Sequence, residues 1–253
     1  MKNVGDYALD ERLSLNQRQG TFDFNRMVLD LMDIKPGLGV LDVACGNGHF
    51  TVQYKKITGS GFVAGIDQSG ELISKARGVA KDAGLDVEFK VAGAEALPYA
   101  DGSFDRVSCN YAVYHFPDIR VSMDEMLRVM KKPGSKLLLT GPSKLNNGLL
   151  YHYHEKAGGR TGKGEGRYVY EDKVGAYLRD CGIKHKFTLY ENAVTFPCAE
   201  NYLDYYRKTK LFLDNVKPGD REGFIKRVLE CIHDEKADVL TLIKEIGVFE
   251  AWT

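Results

Sequence analysis

A carboxylate at Asp42, glycines at Gly46 and Gly48 and a second carboxylate at Asp67 form the densest chemical signal in the chain. Glycine has no Cβ, so a turn built on Gly46 and Gly48 lets the backbone come close to a ligand, a purely structural tight turn being the competing reading. An acid about 20 residues beyond such a turn can accept hydrogen bonds from both hydroxyls of a ribose, so Asp67 selects an adenosine-type ligand. A dinucleotide turn calls for a third glycine where this chain has Thr51, and Asp42 would sit badly beside a dianionic pyrophosphate. The same acid suits a zwitterion carrying an ammonium and a sulfonium, which leaves an NAD-binding oxidoreductase as the weaker alternative.

Groups able to move a proton come later. His115 follows a β-rich run on the edge of the sheet where ligands bind, which makes it the first candidate for a general base; the alternative is that it orders the turn Phe116-Pro117-Asp118. Tyr111 and Tyr114 beside it either shape a substrate pocket or pack as core aromatics. Tyr151, His152 and His154 are secondary pocket candidates. Histidines two apart share one side of a strand but diverge on a helix, and no third ligand is evident, so no metal is assigned. Arg160, with Lys163 and Arg167, could attract an anionic substrate from a Gly-rich polar stretch over 158–167, expected to be a mobile loop.

These groups need a frame, and the pattern of apolar runs and turn residues supplies one. Residues 24–33 read as a helix, and 39–44, 61–66, 86–90, 104–108 and 135–140 as strands, with helices over 69–83 and 119–131. Strand alternating with helix implies a parallel, doubly wound α/β sheet. Beyond residue 142 the pattern gives a helix over 171–181, a strand over 184–197, amphipathic helices over 199–214 and 220–243, and a last strand over 243–252. The expected organisation is one domain: a helical segment over 1–35, a cofactor-binding core over 36–142, a substrate-side region over 143–198, a helical cap insertion over 199–243 and the last strand over 244–253.

Composition excludes some partners. Lys+Arg and Asp+Glu both total 35, so no global charge draws the chain to nucleic acid or to an anionic membrane. The first residues lack an apolar signal core and no later run is long enough to span a bilayer, so a soluble, cytoplasmic protein is expected. Cys45, Cys109, Cys181, Cys198 and Cys231 are scattered singly, which reads as buried thiols rather than zinc ligands or disulfides.

The run Val40-Leu41-Asp42-Val43-Ala44-Cys45-Gly46-Asn47-Gly48 resembles the first motif of class I S-adenosylmethionine-dependent methyltransferases. Ile66-Asp67-Gln68-Ser69 resembles their second motif, and Ala94-Glu95-Ala96-Leu97-Pro98-Tyr99 followed by Ser103-Phe104-Asp105 resembles their third and the start of their fourth strand. Asn110-Tyr111-Ala112-Val113-Tyr114-His115-Phe116-Pro117-Asp118 is similar to the segment after the fourth strand in the small-molecule branch called type 11. The resemblance spans about residues 36–142 and implies a Rossmann-like sheet of seven mostly parallel strands. It implies that Asp42, Ala44, Cys45, Gly46, Asn47 and Gly48 line the methionine end of S-adenosylmethionine, and that Asp67 and Gln68 hold its ribose. Ala94 and Glu95 would flank the adenine, and Asn110 would close the pocket near the methionine amine. The family often has an acid just before the Ala-Glu pair; here that position is Gly93, so adenine recognition would rest on backbone groups.

The implied activity is in-line methyl transfer to an oxygen or nitrogen of a small-molecule acceptor, with His115 as the base. A methyltransferase-like module that binds cofactor without catalysis is the alternative. A nucleic-acid methyltransferase fits less well, because Asn110-Tyr111-Ala112-Val113 lacks the Asn-Pro-Pro-Tyr character used on exocyclic amines.

Overall fold

The computed structural model of the chain describes residues 21–144, 146–161, 170–237 and 239–253. The apolar runs become strands: β1 Val40–Val43, β2 Val63–Asp67, β3 Glu88–Val91, β4 Arg106–Asn110, β5 Lys136–Pro142, β6 Lys184–Phe196 and β7 Leu240–Trp252. They form one seven-stranded sheet in the order β3-β2-β1-β4-β5-β7-β6, the expected doubly wound α/β class. β1 pairs in parallel with β2 and β4, β2 with β3, and β4 with β5. Every residue of β1 and β2 is buried, as parallel strands covered on both faces require. Strand order reverses between β1 and β4, and a doubly wound sheet offers its binding crevice outside the strand ends at such a point.

The helices between these strands are α1 Phe24–Met32, α2 His49–Thr58, α3 Gly70–Asp82 and α4 Ile119–Arg128. Ser69 caps α3 by accepting from the Leu72 N–H (3.3 Å), and Asp118 caps α4 by accepting from Val121 (3.1 Å). Ile73, Ala76 and Ala80 recur at helical spacing on α3 and are buried with Phe89 of β3. On α4, Met123 and Met126 join Val107, Leu137 and Leu139 in the largest buried cluster. Helices α5 Gly148–Lys156, α6 Gly175–Asp180, α7 Ala199–Arg207, α8 Lys210–Asn215 and α9 Arg221–Asp234 follow.

Two compact units result. Among the described residues, one comprises Phe24–Ser143, 170–189 and Gly247–Thr253, and the other 21–23, 144, 146–161, 190–237 and 239–246. The second unit has its own aromatic core, in which Tyr202, Tyr205 and Tyr206 of α7 are buried with Tyr153, Phe196, Phe212 and Phe224. Among the described residues no helix is long and apolar enough to cross a membrane.

The sequence patterns fail where side chains restart or end a helix. The helix expected over 199–214 is broken into α7 and α8 because the Thr209 hydroxyl accepts from the Phe212 N–H (3.2 Å) and caps a new helix. The helix expected to reach residue 243 ends at Asp234; Lys236 turns left-handed (φ 53°) and β7 starts at Leu240. The helix expected over 171–181 is a π turn, Tyr170–Val174, followed by α6. The expected mobile loop over 158–167 lies largely outside the described residues, and Lys163 and Arg167 with it. The cysteines are free thiols, but only Cys45 and Cys109 are buried; Cys181 is exposed and Cys198 and Cys231 are half-buried, which corrects the expectation of five buried thiols.

Candidate functional site

The turn after β1 alternates handedness, with left-handed backbone at Ala44 (φ 55°), Gly46 (φ 58°) and Gly48 (φ 79°). Such alternation turns successive N–H groups into a concavity that attracts an anion. The chain supplies the anion itself: Asp67, at the end of β2, accepts from the Gly46 N–H (2.9 Å) through Oδ2 and from the Ser69 N–H (2.9 Å) through Oδ1. A carboxylate has about four acceptor positions, so Asp67 retains capacity for a diol after both bonds. A Cβ on Gly46 would meet no described residue within 4 Å. Gly48 differs, because a Cβ there would lie 2.9 Å from the Ala76 Cβ and 3.1 Å from Phe89. Its smallness lets α3 and β3 pack against the turn, rather than making room for a ligand.

Asp42 is buried beneath the turn. Its Oδ2 accepts from the Thr51 hydroxyl (2.7 Å) and its Oδ1 from the Ser108 hydroxyl (2.8 Å). Thr51, standing where a dinucleotide turn has its third glycine, thus fixes α2 to β1 through a hydrogen bond. Polar side chains continue the line: the Asn110 amide donates to the Tyr54 hydroxyl (3.5 Å) and accepts from the Thr140 hydroxyl (3.1 Å). Ser108, Tyr54 and Thr140 carry no motif, and only their burial beside Asp42 and Asn110 identifies them.

Burial pushes the Asp42 carboxyl up to about 6; the nearby Asp67 charge adds to this, and the two hydroxyl donors oppose it. The unfolded carboxyl titrates near the ordinary 3.8, so between about pH 4 and 6 the folded chain alone holds the proton. Stability from this group therefore falls as pH rises through that window and is level above it. Asp42→Asn is expected to flatten this slope and to add about 1–3 kcal/mol at pH 8, while weakening the hold on a cationic ligand. Urea unfolding of parent and variant at pH 4, 6 and 8 reads the difference; parallel curves would contradict it.

Parallel pairing brings the other expected residues to the same sheet edge. Asp67 stands in register with Val91, and the Ala92 N–H donates to the Asp67 carbonyl (3.1 Å), so the segment carrying Ala94 and Glu95 starts beside the end of β2. Cys45 is buried, and its thiol is pushed well above the ordinary range by burial and by the charges of Asp42 and Asp67, which removes it as a nucleophile. Asn47 and Gln68 are exposed at the two turns. After β4, Tyr111 has a left-handed backbone (φ 53°), and its N–H donates to the Thr140 carbonyl (2.9 Å). Its ring meets Phe24 edge-on at 5.4 Å.

His115 ends the 3₁₀ turn Val113–His115, with an exposed ring 4.3 Å from that of Tyr114. Burial raises the Tyr111 phenol well above its ordinary range and the Tyr114 phenol to about 12, so neither is a phenolate at neutral pH. One further base candidate escaped the sequence reading. His49 directly follows Gly48, meets Asn25 Oδ1 at 3.2 Å, and is held below the ordinary imidazole value by partial burial.

The remaining pocket candidates belong to the other unit. On α5, His152 and His154 diverge as helical spacing dictates: His152 is exposed and pairs with Glu235 (2.9 Å), while His154 is buried. The His154 Nε2 donates to the Arg160 carbonyl (3.3 Å), which leaves Nδ1 to accept from the Tyr206 hydroxyl. Both nitrogens are thus used within the core. Tyr151 is half-buried against that core, and the Arg160 side chain is exposed.

A family model described as a methyltransferase domain matches residues 34–171, more than half of the chain. The ubiquinone/menaquinone biosynthesis C-methyltransferase UbiE of Bdellovibrio bacteriovorus is 31% identical over 178 residues, covering 69% of this chain and 70% of that protein. The uncharacterized methyltransferase YcgJ of Bacillus subtilis is 36% identical over 101 residues, 40% of this chain and 39% of its own length. The YcgJ crystal structure superposes with a TM-score of 0.61 at 18% identity, covering 90% of this chain and 97% of that one. A SAM-dependent methyltransferase from Aquifex aeolicus superposes with a TM-score of 0.57 at 18% identity over 100% of both chains. The self-filled glycine turn, the acid at the end of β2 and these matches agree, and the chain belongs to the class I S-adenosylmethionine-dependent methyltransferases.

Proposed function

We propose that this methyltransferase acts on a small molecule with an acidic hydroxyl on an aromatic ring, and that His115 takes the hydroxyl proton. The observation that carries this reading is the placement of His115: an exposed imidazole directly after β4, in a segment whose tyrosines stay protonated. S-adenosylmethionine supplies an electrophilic methyl on a sulfonium sulfur. The chain's part is to orient the acceptor, exclude water and remove a proton.

Residues around the turn fit that cofactor. No described residue lies within 4 Å of a Cβ on Gly46, Asp67 keeps acceptor capacity for the ribose hydroxyls, and Asp42 places a negative charge beneath the turn, suited to a cationic ligand. Ala44, Asn47, Gly48, Gln68, Ala94 and Asn110 complete the surroundings of these groups. Asp67→Ala is expected to weaken S-adenosylhomocysteine by about 1–3 kcal/mol, through lost diol bonds and a loosened Gly46 amide. Calorimetry checks this, and unchanged affinity would move the ribose elsewhere.

The acceptor atom follows from the chemistry of phenols. An oxygen or nitrogen acceptor was expected, whereas the Bdellovibrio relative is named for C-methylation in quinone biosynthesis. Deprotonating a hydroxyl on an aromatic ring raises nucleophilicity at the oxygen and at its ortho carbons alike, so one base at His115 serves either outcome. Hydroquinones, catechols and amines incubated with methyl-labelled cofactor test the reading, with carbon NMR locating the label. Label on the phenolic compounds supports it, and label on amines alone would overturn it.

A further inference from the structure

We propose that Arg128 and Glu125 of α4 are positioning residues for cofactor binding, holding the 92–101 segment in the shape that receives the adenine before the cofactor arrives. This rests on the cofactor reading above, in which Ala94 and Glu95 of that segment flank the base, and not on the identity of the acceptor.

The segment follows β3 and lies in no helix or strand, so its amides and carbonyls need partners from elsewhere. At its start the Ala92 N–H donates to the Asp67 carbonyl (3.1 Å). Its far end is tied to α4. Glu125 Oε2 accepts from the Leu97 N–H (2.7 Å). Arg128 Nη2 donates to the Leu97 carbonyl (3.1 Å), and Nη1 donates to the Tyr99 carbonyl (2.8 Å) and to Asp101 Oδ1 (2.7 Å). The remaining donors go to Glu125, Nε to Oε1 (2.6 Å) and Nη2 to Oε2 (2.8 Å). A guanidinium carries five N–H donors in a rigid fork, and each of the five is engaged here.

A cation spent in this way has no donor left for a ligand, so its effect on the cofactor passes through the segment. Leu97 is buried with Met123 and Met126 of α4, which anchors the segment without deciding where its carbonyls point. The fork decides it, because three acceptors of the segment must meet one rigid plane. The bond from Arg128 holds the Glu125 carboxyl below the ordinary carboxylate range, so the pair stays charged at neutral pH. Without the pair, the arriving cofactor has to order the segment itself. That costs about 5–30-fold in affinity for each residue whose backbone is fixed only then.

Displacement calorimetry on the full chain with S-adenosylhomocysteine and with S-ribosylhomocysteine, which lacks the adenine, tests this. Arg128→Lys keeps the charge and loses the fork, and is expected to reduce the parent's preference for the adenine-bearing ligand by about 5–30-fold or more. Glu125→Gln, in which one end of the amide donates instead of accepting, should shift the preference in the same direction by a smaller factor. Hydrogen exchange over 92–101 should quicken in both cofactor-free variants and slow again at saturating S-adenosylhomocysteine. Partial unfolding lowers the binding stoichiometry of both ligands and leaves their affinity ratio intact, so a merely structural pair would change the melting temperature alone. An unchanged ratio in Arg128→Lys, or in Glu125→Gln where Arg128→Lys does not fold, would overturn the proposal. A parent that binds both ligands alike would overturn it together with the placement of the adenine, and would leave the part given to His115 untouched.

Discussion

Replacing His115 with alanine is expected to lower turnover by about 10²–10⁴-fold, the range for loss of a general base, while cofactor affinity stays within about threefold of the parent. Binding and chemistry separate here because the turn itself is held by the backbone. The His115 N–H donates to the Ala112 carbonyl (2.8 Å) and Asp118 caps the next helix, and both bonds survive the substitution. The lost ring is exposed, so the melting temperature should change little. Turnover, calorimetric affinity and melting temperature measured on one preparation decide the matter. Turnover within about threefold of the parent would remove His115 from the mechanism. His49 would then be tested next, since its lowered pKa keeps it neutral at pH 7, whereas both nitrogens of His154 are engaged in a core.

Gly48→Ala is expected to destabilise the fold by about 2–6 kcal/mol, combining left-handed strain with overpacking. The new methyl would stand 2.9 Å from the Ala76 Cβ, a buried group with no rotamer by which to withdraw. Gly46→Ala meets no described neighbour and should cost only about 1 kcal/mol of stability, yet weaken cofactor binding if the cofactor lies over the turn as proposed. Urea unfolding and calorimetry on the two variants should therefore give opposite patterns. Equal loss of stability in both would show that the two glycines do one job.

What was legible in the sequence was local or repeated. The runs over β1 to β5 are short, apolar and bounded by turn residues, so their alternation with helices announces a parallel sheet. The acid and glycines of the turn were legible because they stand at a strand end and in the loop before a helix, where a doubly wound sheet offers its crevice. The partners of those residues were not. Ser108 reaches Asp42 across 66 positions of chain, and neither its type nor its spacing signals the contact. Thr51 was visible as a missing glycine but not as a hydrogen-bond donor, which requires knowing that α2 presents it to β1. The break at Thr209 was obscured because amphipathic spacing runs on across a cap, and the cap depends on one hydroxyl turning back to the Phe212 N–H. His152 and His154 were ambiguous until the element was known, because two residues apart means one face on a strand and two on a helix.

The bond from the Gly46 amide to Asp67 also bears on the speed of cofactor capture. A glycine-rich loop that waits for its ligand must surrender backbone freedom at the moment of binding, at roughly 1–2 kcal/mol per residue. Here the ordering takes place during folding, because the carboxylate that fills the concavity belongs to the same chain. A ribose bound at Asp67, as proposed, would then add hydroxyl donors to an acid already held in place. On that proposal association would be governed by diffusion and by shedding of water, with little delay from loop closure.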